Sequence, residues 1–161
     1  MNETETLADF FAGPFANPKF TRRSVSIPGD FRTAWRLSVL TLILSRGRAN
    51  SLALDHLHVL WWAIRSKTTR ELFLRWLNGE KQPDELLVRF DPSLTVTIEM
   101  ALGEELVCKL PSGPIRLETR GTALANVVNA NSEVLTSEKR FLENLPHRIT
   151  QSQINKLLEW A

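Results

Sequence analysis

Three histidines and one cysteine are the side chains best suited here to hold a metal or attack a substrate, and their spacing argues against both uses. His56 and His58 stand two apart. On a helix that spacing turns them about 200° from one another, whereas two histidines that share a metal from one helix stand at i and i+4. His58 therefore reads as a packed or interface histidine. Cys108 lies beside Val107 and Leu110 with no Cys, His or Asp pattern around it. It reads as a small core residue rather than a nucleophile. Glu104-Glu105 and Asp84-Glu85 are adjacent pairs at the ends of predicted elements, where solvated charge explains them. Paired carboxylates at metal-binding spacing, which phosphodiester cleavage would call for, are missing. There is no Walker-type phosphate loop and no Gly-x-Gly-x-x-Gly. The expectation is a chain without catalytic residue, metal, cofactor or small-molecule substrate, and not an enzyme.

Positive charge is the remaining candidate. Arg46 and Arg48 flank Gly47 in a predicted loop, and Arg65, Lys67 and Arg70 cluster at the next one. Lys19, Arg22 and Arg23 fall near the N-terminus, and Lys109, Arg116 and Arg120 fall on or near a predicted hairpin. The net charge is only +2, whereas a dedicated nucleic-acid binder carries a denser basic patch. Scattered positive charge of this kind is usually just a soluble surface; where it is functional, it holds phosphates without reading sequence. The expected nucleic-acid contact is thus weak and salt-sensitive. It would run through Arg46, Arg48, Lys67 and Arg70, from two successive loops that a three-helix arrangement can bring to one edge.

The elements that carry these residues follow from periodicity and punctuation. A hydrophobic fraction of 43% and a charged fraction of 24% suffice to bury a core. The longest apolar run, "LSVLTLILS" at 37–45, is about half of the ~20 residues a membrane helix needs. The N-terminus lacks the basic start of a secretory signal, and one cysteine permits no internal disulfide; a cytoplasmic protein is expected, with no membrane contact. Residues 1–30 read as an irregular, aromatic arm whose Phe11 and Phe15 would pack on this chain or on a partner. Residues 31–161 read as one domain: three helices within 31–78, a winged helix over 84–131 and a helical pair over 133–161. Asp30 is the expected cap of the first helix and Ser51 of the second. Thr68 and Glu71 suggest a capping box for the third. Leu54, Leu57, Trp61 and Ile64 share one face of the second helix, while Val59 and Trp62 lie on another.

Asp91-Pro92 reads as an N-cap followed by proline at the first helical position. It opens a helix through "SLTVTIEMALGEE" that leads into a hairpin at about 105–118, turning at Pro111-Ser112-Gly113-Pro114. Helix, hairpin, helix is the pattern of a winged helix, so the fold class expected is mainly α with a winged-helix β-hairpin. A DNA-reading helix needs Arg, Lys, Asn or Gln to reach base edges. This one has none of them and carries Glu99, Glu104 and Glu105, which phosphates would repel. Its apolar residues form two stripes. Leu94, Ile98, Ala101 and Leu102 are the expected core side. Val96 and Met100 lie roughly opposite, either buried within the chain or meeting another protein. The expected protein interface comprises Val96, Met100, Val59 and Trp62, with Phe11 and Phe15 of the arm.

The segment "ILSRGRANSLALDHLHVLWWAIRS" resembles the middle components of ABC-three-component systems, the class that includes Lamassu-type bacterial anti-phage operons. The resemblance rests on an Arg-Gly loop followed by Leu57, His58, Val59, Leu60, Trp62, Ala63, Ile64 and Arg65. It continues through Phe90, Asp91, Pro92, Ser93 and Leu94, then through Ile115, Leu117, Thr119, Gly121 and Leu124. It covers roughly residues 25–160. One departure is Glu104-Glu105, which stands between Gly103 and the first apolar pair of the wing, Leu106-Val107. The resemblance implies a non-catalytic subunit sitting between an SMC-like or ABC-type ATPase and an effector, often a nuclease, with the winged helix as docking module. The alternative from another class is a winged-helix transcriptional regulator.

Overall fold

The computed structural model describes residues 29–146 and 149–159. Seven α-helices and three short strands order the described chain: α1 Gly29–Ser45, β1 Ser51–Leu52, α2 Leu54–Ile64, α3 Lys67–Leu77, α4 Pro92–Gly103, β2 Val107–Lys109, β3 Ile115–Leu117, α5 Thr119–Ala130, α6 Thr136–Glu143 and α7 Gln151–Leu158. The fold is mainly helical with a small antiparallel sheet, as a winged helix requires. The sheet runs in the order β1-β3-β2. Val107 pairs with Leu117, and Ser51 pairs with Arg116 from the other edge of β3. The wing thus takes its third strand from the loop between α1 and α2. Two residues are too few to show a strand's alternation, which is why Ser51 looked like a helix cap; α2 starts three residues later.

α1 is the central element. Its residues from Val39 to Leu44 are all buried, packed against α2, α4, α5 and β3. Thr41 lies in this run with its hydroxyl donating to the Ser38 carbonyl at 2.9 Å, so no polar atom of it is left bare. α1 starts at Gly29, which puts Asp30 inside the first turn rather than at the cap. α3 is capped by Ser66 and Thr69 in a reciprocal box, two residues ahead of the expected Thr68 and Glu71. It ends at Asn78, with Gly79 at φ +77°. The box at Thr150 and Gln153 stands as expected at the start of α7.

α5 reaches the wing through Gly121. A Cβ there would lie 2.0 Å from the Leu106 carbonyl oxygen, so only glycine lets the helix come that close. Gly47 plays the same part in the α1–β1 loop, where a Cβ would meet the Ser51 carbonyl oxygen at 2.1 Å. The Glu104-Glu105 pair between Gly103 and the wing has a local explanation. Leu106 N–H donates to Ala101 and Glu105 N–H to Leu102, with Glu105 at φ +55°. That is a Schellman ending of α4 in which a glutamate, not Gly103, takes the left-handed position.

Candidate functional site

α4 carries the site, and its start is held by the residues before it. Asp91 accepts from the Ser93 N–H at 2.9 Å and from the Trp61 indole at 3.3 Å, and it pairs with Arg65. Burial alone would push its carboxyl upward. The Ser93 contacts, Arg65 and Trp61 outweigh that and hold it below the usual carboxylate range. Pro92, with no N–H to satisfy, occupies the first helical position.

From this anchor α4 turns Leu94, Thr97, Ile98 and Ala101 into the core. At 100° per residue its outer arc runs from Leu102 through Thr95, Glu99 and Gly103 to Val96 and Met100. Val96 is 48% exposed, and Met100 and Leu102 are each 39% exposed. The second apolar stripe therefore lies outside the chain's own core, with Glu99 as the charged residue of the arc between Leu102 and Met100. Leu102, expected on the core side, sits at the margin of the buried stripe. It faces outward at a cleft of about 530 Å³ between α4 and the wing, whose lining also includes Leu54, Pro114 and the edges of the buried Ile98 and Ile115. Leu54 is likewise exposed: it opens α2 at the cleft's edge rather than joining Leu57, Trp61 and Ile64 inside.

Beside the N-terminus of α4 the apolar surface continues as an aromatic group. Phe90 is 53% exposed and meets the His58 ring edge-on at 4.6 Å. A residue just before an N-cap normally packs on the fourth helical residue. Here that residue is Thr95, too small and polar for the task, and Phe90 turns to His58 instead. An unmatched Phe90–Thr95 pair was the signal for this contact in the sequence. Desolvation lowers the His58 pKa against the opposing pull of Asp55 and Asp91. Trp62 is half-buried in a separate cleft, where it lies with Phe90, Arg65 and Pro92 at the start of α4. Val59 is a correction: it is wholly buried in the chain's own core and offers nothing to a partner. Phe11 and Phe15 lie outside the described residues.

His56 and His58 face different neighbours. The His56 Nε2–H donates to the Ile149 carbonyl at 3.2 Å. Cys108 is half-buried, and its thiol pKa is raised, first by hydrogen bonding to Glu118, the reverse of what an activated thiolate needs. Among the described residues no group of three or more His, Cys, Asp or Glu is placed to hold a metal ion, and no helix is long and apolar enough to cross a membrane.

The four expected phosphate contacts do not form one edge. α2, with 11 residues, joins the two loops end to end and holds them about 16 Å apart at 1.5 Å per residue. Arg70 is committed inside the fold, donating to the Ile64 carbonyl at 2.8 Å and pairing with Glu138. Lys67 stands exposed beside Glu71. Arg46 and Arg48 alone remain together, on one cavity.

No family model, curated protein or solved structure matches this chain. The site's own chemistry is then the ground for its function. An exposed helix face with three large apolar side chains and one carboxylate can bury area against a protein; it cannot grip phosphates.

Proposed function

We propose that the chain is a non-catalytic adaptor subunit that docks through the exposed face of α4. Its place would be between an SMC-like or ABC-type ATPase and an effector of nuclease type in a cytoplasmic anti-phage complex. The observation that carries the docking reading is the exposure of Val96 and Met100 on a helix whose core stripe is already complete. In a monomer those side chains gain nothing from facing water. Against a partner each contributes about 1–2 kcal/mol by area burial, and more at the centre of the contact. The family resemblance supplies the identity of the complex, and the absence of Lys, Arg, Asn and Gln from α4 weighs against the regulator.

The test is co-purification with the products of the neighbouring genes, using tagged wild type and a Val96→Asp/Met100→Asp variant. Wild type should retain an ATPase partner and the variant should lose it. Recovery of the wild-type chain alone would overturn the adaptor. Binding to one particular duplex at a Kd of about 10⁻⁸ M or tighter would instead identify a regulator.

A further inference from the structure

The cavity that joins Arg46 to Arg48 is at the other end of α2 from Arg65, and nothing in the docking reading uses it. It measures about 450 Å³, within the range of small-molecule sites. Its described lining has two arginines and one histidine and no aspartate or glutamate. Leu52, Leu60, Leu145 and Ile149 give it an apolar floor. Arg65, Arg70 and Arg75 each stand against a carboxylate, of Asp91, Glu138 and Glu80 in turn. Arg46 instead makes one long contact, 3.5 Å, to the Leu145 carbonyl, and Arg48 makes no ion pair or side-chain hydrogen bond to another described residue.

The loop that presents them is tightly specified. Gly47 is pressed against the Ser51 carbonyl, where a side chain cannot fit. Ala49 and Asn50 follow at φ +54° and +55°, a left-handed pair that asparagine adopts more readily than alanine. β1 then pins the loop to β3. The His56 ring is fixed by its bond to Ile149. Two arginines two positions apart on this loop, above an apolar floor, match a ligand with an anionic head and an apolar or planar body. Guanidinium forks suit phosphate oxygens, which they can grip in pairs.

We propose that this cavity binds a small phosphorylated ligand of nucleotide type, its phosphate held by Arg46 and Arg48 and its body lying on Leu52, Leu60, Leu145 and Ile149. A duplex is the less suitable source of the same phosphate. A rod of that width cannot enter a cavity of this size, and Lys67 and Arg70, which a backbone track would have to recruit, lie at the far end of α2. The proposal goes beyond the docking reading and does not depend on it.

Calorimetric titration of the full chain at low salt tests it, with AMP, ATP, inorganic phosphate and a short DNA duplex as probes. Wild type should bind AMP or ATP saturably, one per chain. Arg48→Glu, at an exposed position with no partner to lose, should weaken that binding about tenfold or more while leaving the ligand-free melting temperature unchanged. Arg46→Ala should act in the same direction. Absence of saturable nucleotide binding would overturn the proposal, and so would equal binding by Arg48→Glu. Inorganic phosphate binding as tightly as AMP would remove the floor from the argument and the ligand class with it. Duplex binding that AMP fails to displace, without nucleotide binding, would assign the arginines to DNA.

Discussion

The Val39–Leu44 run of α1 and the length of α4 both carry apolar side chains on more than one face, and the fold treats them differently. The run from Val39 to Leu44 has neighbours all round, because α2, α4, α5 and β3 surround it. α4 lies against α1 and β2, and its far side is bare, with Val96, Met100 and Leu102 exposed. An all-round apolar helix therefore says how many faces need covering. Which faces one chain covers depends on topology. α1 has used its partners within the molecule, and α4 keeps one face with Val96, Met100 and Leu102 exposed.

The largest effect should come from α1. Leu40→Ala removes a wholly buried side chain and should cost about 2–5 kcal/mol, read by chemical denaturation. A loss under about 1 kcal/mol would mean that α1 is less tightly enclosed than α4 and would break the comparison. Next is the outer face of α4. Val96→Asp/Met100→Asp should abolish complex formation while shifting the isolated chain's stability by no more than about 0.5 kcal/mol, as at other surface sites. A large fall in melting temperature would place these side chains in a core, and α4 would join α1.

What could be read from sequence divides along the same line. The helices, the hairpin, the Asp91-Pro92 start and the Thr150 box were legible, because each is written in local periodicity or capping chemistry. Val96 and Met100 were legible as a second stripe for the same reason. Val59 and Leu102 were not, since their burial is decided by α1 and the wing, which no window of α2 or α4 contains. Nor was the separation of Arg46 and Arg48 from Lys67 and Arg70, which follows from α2 being a straight rod between them. β1 was missed for another reason: a strand of two residues has no period, and its partner β3 lies more than sixty positions along the chain.

A smaller effect belongs to the start of α4. Asp91→Ala removes the helix cap and the partner of Arg65 and should cost about 1–2 kcal/mol. The pH dependence follows from the lowered Asp91 pKa. A carboxyl depressed in the folded state contributes stability that is complete above its unfolded value and is lost as pH falls through the folded one. His58, lowered by burial, acts in the same direction: the folded state disfavours its proton, so stability declines as pH drops below the unfolded histidine value. Wild type should therefore lose stability on acidification in two stages, and Asp91→Ala should flatten the more acidic one. Identical acid profiles would mean that the cap contributes nothing to the placing of α4.

The smallest effect sharpens how α4 ends. α3 and α4 close with the same Schellman geometry, but α3 has Gly79 in the left-handed position and α4 has Glu105. An L-residue pays about 1–2 kcal/mol there, and glycine returns about 0.5–1 of that through its greater freedom when unfolded. Glu105→Gly should thus stabilise the chain by about 0.5 kcal/mol. The ion pair it sacrifices, to Arg120 at 3.7 Å, is mostly exposed and contributes little. Glu105→Ala separates the two causes, because it removes the same charge and keeps the Cβ. If strain at this turn is the reason, glycine stabilises and alanine does not. Equal gains from both would point instead to repulsion between Glu105 and Glu104, and the turn from α4 into the wing would then be no more strained than the one that ends α3.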